Sequence, residues 1–147
     1  MGEIRIATEQ DIDKLKGFLD KSEVSSTGVE SMIDHFILME DEFGSVQATL
    51  GIEKVELDGL LRSLVVTSNI KQTEILSLFK SAISLAKHKE LRELYLVTNR
   101  EASVVFFTML GFTQLEKEEI AENILQAEHM KQLENAENAI YMKTTIN

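Results

Sequence analysis

Arg62 makes the sharpest chemical demand in this sequence. It lies inside the apolar run LLRSLVV, Leu60 to Val66, and an arginine on a largely buried strand needs a carboxylate partner. The chain's 25 aspartates and glutamates offer many internal ones. Ser63 follows on the alternate face of the same strand. On the neighbouring strand Glu53, and beside it Glu56, have the side chain of a general base acting through water, or are solvated strand carboxylates of the ordinary kind. The oriented N–H groups of a helix start can hold an anionic ligand whatever the net charge of the chain. Other chemistries drop out. With no cysteine there is no thiol nucleophile, redox pair, iron–sulfur cluster or cysteine-built zinc site. His35, His88 and His129 are scattered without ligand spacing, so no metal site is expected and all three are expected on the surface.

Several elements must position these groups. The chain has 147 residues, 44% hydrophobic and 27% charged, and a chain of about 150 residues buries roughly 70% of its unfolded surface without disulfide or metal staples. There is no repeat, low-complexity tract or proline-rich linker, and the seven glycines are dispersed, so residues 1–147 are expected to form one domain. A formal net charge of -10 disfavours a nucleic-acid partner, because such affinity rests on neutralising phosphates. The start MGEIRIATEQ has no basic segment followed by an apolar run, so secretion is not expected, and no stretch approaches the roughly 20 apolar residues that span a bilayer. A cytoplasmic location and no membrane association are the expectations.

Ile4 and Ile6 alternate with Arg5 as a short strand, and Thr8 with Asp11 reads as the start of an amphipathic helix carrying Ile12, Leu15, Phe18 and Leu19. Val29, Met32, Ile33 and Phe36 recur at helical spacing, predicting a second helix. Phe36–Met39 and Val46–Val55 form a hairpin, and Leu57, Asp58 and Gly59 turn the chain into the buried strand Leu60–Val66. From Lys71 the period changes: Ile75, Leu78, Phe79, Ala82, Ile83 and Ala86 predict a helix to about His88. Leu94–Val97 is a strand and Ala102–Leu110 a helix with Gly111 as its C′ residue. Phe112 leads into another strand, Glu118–Leu133 reads as an acidic helix burying Ile120, Ile124, Ala127 and Met130, and Ala139–Thr144 closes the sequence of elements. Met32, Met39, Met109 and Met130 read as core filling. This order predicts an α/β (α+β) domain, a mixed sheet with helices on both faces.

The arrangement resembles the GNAT superfamily of acetyl-CoA-dependent N-acetyltransferases over nearly the whole chain. IRIATEQDIDKLKGFL is similar to that family's first strand and helix, LLRSLVV to its fourth strand, the Lys71 helix to its pyrophosphate-binding helix, and FFTMLGF, Phe106 to Phe112, to the helix before its sixth strand. GLLRSLVV with YLVTNREASVVFFTMLGF and a terminal AIYMK resembles the amino-acid N-acetyltransferase branch, although the branch's Cys-Pro segment is absent. The resemblance implies a mixed, mostly antiparallel sheet of six to seven strands and acetyl-CoA as acyl donor. It places the pantetheine arm on the backbone of Leu64, Val65 and Val66. The pyrophosphate loop falls on Lys71–Leu76, with Lys71, Thr73, Leu76 and Ser77 as cofactor contacts. Asn99, with Arg100 as its neighbouring alternative, and Phe107 are further cofactor positions.

This sequence departs from the family pattern at several of these places. Both loop glycines are replaced, by Glu74 and Leu76, which adds bulk and a negative charge where backbone would approach phosphates. Phe107 stands where many relatives carry a proton-donating tyrosine, and the frequent strand-four glutamate falls near Leu60. Glu53 and Ser63 are the remaining catalytic candidates. Arg62 suits an amino-acid substrate's α-carboxylate, or an internal salt bridge.

Two functions stay open. One is transfer of an acetyl group from acetyl-CoA to the amine of a small molecule, possible substrates including amino acids, with homodimerisation through sheet edges plausible in this fold. The other is a degenerate module that keeps the fold and binds a protein or ligand without chemistry.

Overall fold

The computed structural model describes residues 3–127, 130 and 139–146. Seven strands form one sheet in the order β1-β2-β3-β4-β5-β7-β6: β1 Glu3–Ile6, β2 Phe36–Glu40, β3 Val46–Val55, β4 Asp58–Val66, β5 Glu93–Thr98, β6 Thr113–Leu115 and β7 Ile140–Thr145. The helices are α1 Ile12–Lys21, α2 Gln72–His88, α3 Glu101–Met109 and the short α4 Glu122–Leu125. The β4–β5 pair is parallel, whereas β1–β2, β2–β3, β5–β7 and β6–β7 are antiparallel. This is the mixed, mostly antiparallel sheet expected from the sequence. The chain falls into two compact units, Met1–Ile52 with Arg62–Leu85, and Glu53–Leu61 with Ala86–Asn147.

In the first unit, β2 pairs along its length with β1 (Ile4↔Met39, Ile6↔Ile37) and with β3 (Phe36↔Gly51, Leu38↔Thr49). Leu15 and Leu19 of α1 are fully buried against Val29, Phe36 and Leu38, as the 3.6-residue period requires. A charge network pins the start of this unit. Arg5 donates two 2.7 Å bonds to the Asp11 carboxylate and one of 2.7 Å to Glu40, and Lys14 also reaches Glu40 at 2.9 Å. Asp11 in turn accepts the Thr8 N–H at 2.7 Å, which anchors the turn entering α1.

The second helix predicted over Val29–Phe36 is instead a 3-10 segment, Val29–His35, broken at Met32 (φ -138°). Its physical cause is local: Ser31 bonds the Gly28 carbonyl with both its N–H (3.2 Å) and its hydroxyl (2.9 Å), favouring i→i+3 closure. Phe36 belongs to β2, not to this segment. At the next hairpin the turn is Glu56–Leu57, with Glu56 at φ +56°, and Asp58 and Gly59 already lie in β4.

In the second unit β7 lies between β5 and β6, and Leu60, Tyr95, Ile120, Ile124, Ala127, Met130 and Tyr141 form its core. The apolar stripe predicted for the acidic segment is therefore buried, but the continuous helix from Glu118 is not formed. A 3-10 turn, Lys117–Glu119, is followed by extended backbone at Ile120 (ψ 136°) before α4 begins. The predicted residues beyond Ala127, including His129 and most of the acidic run to Glu137, lie outside the described residues, save Met130.

α3 ends as its sequence demands. Gly111 adopts φ +102°, its N–H bonds the Thr108 carbonyl and the Phe112 N–H bonds the Phe107 carbonyl, both at 3.0 Å, which closes a Schellman motif. An added Cβ would meet nothing closer than Thr144 Oγ1 at 3.8 Å, so a substitution costs through its backbone angle alone. Gly111→Ala is expected to lower stability by about 1 kcal/mol; an unchanged thermal midpoint would contradict this.

Candidate active site

β4 carries the main departure from regular strand geometry. Ser63 has φ +58°, the left-handed region, in the middle of the strand, and a residue there breaks the two-residue alternation. Arg62 and Ser63, expected on opposite faces, consequently meet: Arg62 Nε donates to Ser63 Oγ at 3.0 Å and both residues are about 95% buried, with 5% exposure each. The Ser63 carbonyl accepts the Thr49 hydroxyl at 2.9 Å. This is the correction to the alternating-face reading of LLRSLVV.

The rest of the guanidinium is also held by the first unit. Arg62 Nη2 donates to the Ser25 carbonyl at 3.3 Å, and Cζ lies 5.5 Å from the Phe36 ring centroid, a cation–π distance. Phe36 in turn packs against Gly51, so that a Cβ on Gly51 would overlap ring carbons Cδ2, Cε2 and Cζ. Gly51, Phe36 and Arg62 thus adjoin in turn across β3, β2 and β4. Sequence reasoning singled out Arg62 but not Ser25, Thr49, Phe36 or Gly51 as its supports. A glycine inside a strand pattern was the one available signal of a close approach.

Beyond Ser63 the strand runs on to Val66, with Leu64 42% and Val66 37% exposed. In the second unit, Gly59 and Leu60 of β4 pair with Leu94 and Tyr95 of β5. The chain then turns through Thr67–Ile70, where Ile70 N–H bonds the Thr67 carbonyl at 3.2 Å, and enters α2.

The start of α2 is occupied by its own side chains. Glu74 Oε1 accepts the Lys71 backbone N–H at 3.0 Å, and the Ser77 hydroxyl donates to the Thr73 carbonyl at 3.1 Å. Lys71, Thr73 and Ser77 are exposed, while Glu74 and Leu76 are half-buried. A carboxylate on the first turn favours the helix through its macrodipole. It also sets a fixed negative group where a phosphate would need N–H donors. The residues of the α2 start do not fit a pyrophosphate.

The other candidates belong to the second unit. Glu53 is buried on β3, at 8% exposure. Glu56, at the hairpin tip, is exposed and accepts Asn123 Nδ2 at 2.9 Å. Asn99 is exposed after β5. Phe107 is buried, edge-on to Phe106 (5.5 Å) and Phe112 (5.9 Å), which is a packing role for the side chain. Met109, read as core filling, is exposed on α3. Tyr95 donates to Glu93 at 3.0 Å. Burial first, and the hydrogen bond to Glu93 second, push its phenol up to about 12, so it is a neutral donor at pH 7. Burial acts to raise the Glu93 carboxyl, but the hydrogen bonds from Lys143 and Tyr95 prevail and hold it below its ordinary value. His35, expected on the surface, is half-buried with Nδ1 2.9 Å from Asp34, whereas His88 is exposed. Among the described residues no helix is long and apolar enough to cross a membrane.

No family model matches the chain. It is 34% identical over 142 residues to the Bacillus subtilis (strain 168) protein YwlB, described as uncharacterized, a match covering 96% of this chain and 95% of the relative. Among solved structures it is similar to Rv2747 from Mycobacterium tuberculosis in complex with CoA and NLQ, at TM-score 0.76, 16% identity and 99% coverage of both chains. It is also similar to a GNAT-family acetyltransferase from Staphylococcus aureus Mu50, at TM-score 0.74, 14% identity and 100% coverage of both. N-acetylglutamate synthase from Neisseria gonorrhoeae, complexed with coenzyme A and N-acetyl-glutamate, matches at TM-score 0.75 and 18% identity. The whole of this chain spans 35% of that enzyme's length.

Proposed function

We propose, for a chain that belongs to the same family as Bacillus subtilis YwlB and has the fold of the GNAT acetyltransferases, an N-acetyltransferase activity that moves an acetyl group from acetyl-CoA to the amine of a small molecule. The observation that carries this reading is the left-handed Ser63 in β4, with Leu64 and Val66 exposed beyond it. Backbone redirected in this way offers N–H and C=O groups to an amide-bearing arm, and we assign the donor's pantetheine to Leu64, Val65 and Val66. An amino acid is the favoured acceptor class, supported by the N-acetyl-glutamate and CoA bound to the gonococcal relative in fold. A cytoplasmic setting accords with a chain free of cysteine.

The chemistry is direct transfer. A neutral amine attacks the thioester carbonyl, forming the C–N bond. The tetrahedral oxyanion is met by β4 backbone N–H, and collapse breaks the C–S bond and releases the thiolate. The proton lost by the amine passes to water or to a carboxylate, for which Glu53 remains the candidate, and the thiolate is protonated from solvent. Arg62 is assigned to positioning. Its contacts with the Ser25 carbonyl, Ser63 Oγ and the Phe36 ring favour an internal role over binding the acceptor's carboxylate. Lys71, Thr73, Leu76, Ser77, Asn99 and Phe107 are the further donor positions that the family resemblance implies.

The Glu74 carboxylate at the α2 start, together with a buried Phe107, favours the second reading, a GNAT-fold binding module without catalysis. One experiment separates them. Purified protein with acetyl-CoA and a broad panel of amines, amino acids included, is expected to release CoA thiol and yield an amine heavier by one acetyl group. Absence of both products across the panel sinks the enzyme reading.

A further inference from the structure

We propose that the acyl donor is recognised through its pantetheine arm and not through its nucleotide end, so that an acetyl-phosphopantetheine thioester serves as well as acetyl-CoA. This deepens the acetyltransferase reading and rests on it. The two ends of the donor would meet differently built parts of the first unit. On β4, Leu64 and Val66 are exposed and the strand departs from regular geometry at Ser63. These are features that suit an extended amide-bearing chain.

The α2 start is built in the opposite sense. Glu74 Oε1 already takes the Lys71 N–H at 3.0 Å, so a pyrophosphate would have to displace a carboxylate or lie beside it. Leu76, half-buried, supplies a branched side chain where close backbone approach would be needed. Ser77 turns its hydroxyl to the Thr73 carbonyl of its own helix, at 3.1 Å. The exposed residues of this first turn, Lys71, Gln72 and Thr73, offer a single cationic group, a set matched to one phosphate and not to the several of the CoA nucleotide. The formal net charge of -10 acts in the same direction, since each additional phosphate on the donor adds repulsion. The chemical class that fits is a phosphopantetheine thioester, either free or attached to a carrier protein.

The test uses the intact chain and isothermal titration with CoA, phosphopantetheine and pantetheine, followed by acetyl transfer from acetyl-CoA, free acetyl-phosphopantetheine and an acetylated carrier domain. The wild type is expected to bind CoA and phosphopantetheine within about threefold of each other, and the nucleotide fragment alone is expected not to compete. Glu74→Gln keeps an acceptor for the Lys71 N–H but removes the charge. It is expected to tighten CoA by about fivefold or more while leaving pantetheine unchanged. The two acetylated phosphopantetheine donors distinguish a free from a carrier-borne source by their relative rates. A wild-type preference for CoA of about tenfold or more, or competition by the nucleotide fragment, overturns the inference while leaving the acetyltransferase reading intact. Equal binding of CoA and phosphopantetheine with no acetylated amine overturns that reading and leaves the arm-recognition result standing. Failure of both ligands to bind overturns both.

Discussion

Gly51→Ala is expected to destabilise the protein by about 1–3 kcal/mol, far more than a glycine-to-alanine change on an ordinary strand. Gly51 pairs with Phe36 in the β2–β3 ladder, and Phe36 is fully buried with ring carbons against the glycine. A methyl group there cannot be accommodated by rotating a flexible side chain, because the obstacle is a rigid, fully buried ring that also lies at cation–π distance from Arg62. The effect should be coupled. Phe36→Leu alone leaves space and costs about 1–3 kcal/mol, yet in the Gly51→Ala background it relieves the overlap. The double variant should therefore be more stable than the sum of the single losses predicts, by about 1–2 kcal/mol. Urea denaturation of the four proteins measures this, and strict additivity would mean that the two residues do not oppose each other as described.

The second large effect is expected from Asp11→Ala, about 2–3 kcal/mol. Asp11 is buried and accepts from Arg5 twice and from the Thr8 N–H and hydroxyl. Truncation strips an N-terminal anchor from α1 and leaves Arg5 with Glu40. Because Arg5 is about one-third exposed, at 34% for its side chain, solvent limits the loss to less than a fully buried pair would give. The same network sets an acid limit. The Arg5 guanidinium, outweighing burial, holds the Asp11 carboxyl well below the usual carboxylate range, and Arg5 followed by Lys14 lowers that of Glu40. A carboxyl whose folded value is depressed contributes its stability above its unfolded value and loses it as pH falls toward the folded one. Stability from these groups should accordingly be constant above about pH 5 and decline below about pH 4. Asp11→Asn should flatten that decline, and equal acid slopes in variant and wild type would refute the assignment.

How much of this was legible in the sequence depends on what periodicity can report. The 3.6-residue stripe from Ile75 to Ala86 located α2, alternation located β3, and Gly111 marked the end of α3 within a residue. All three signals concern which face of an element is buried. The 3-10 segment after Gly28 has an equally helical stripe in Val29, Met32, Ile33 and Phe36, and Ser31's double bond to the Gly28 carbonyl decided its form. At the site, the burial of Arg62 was legible because a charged residue interrupts an apolar run. The left-handed backbone at Ser63 was not, since serine has no special tolerance for that conformation and alternation presumes its absence. Neither was the Phe36–Gly51 contact, which joins residues paired only once the β2–β3 register is set. Glu74 was recognised as a foreign residue in a phosphate loop, but not as a ligand of the Lys71 N–H.

The division of the chain into its two compact units also constrains how the protein can be made. The first unit needs Arg62–Leu85 as well as Met1–Ile52, and the second needs Glu53–Leu61 as well as Ala86–Asn147. On the ribosome, therefore, neither unit can close as a simple N-terminal piece: β3 must wait for the second half of β4. Within the second unit, β5 and β6 acquire their shared neighbour only when β7 emerges. Until then the nascent chain carries strand edges with no permanent partner, the state most exposed to mispairing with other chains. The sequence-distant pairing of β7 is therefore expected to come late, and a chain truncated before that strand is expected to expose unpaired edges and not to form a smaller folded protein.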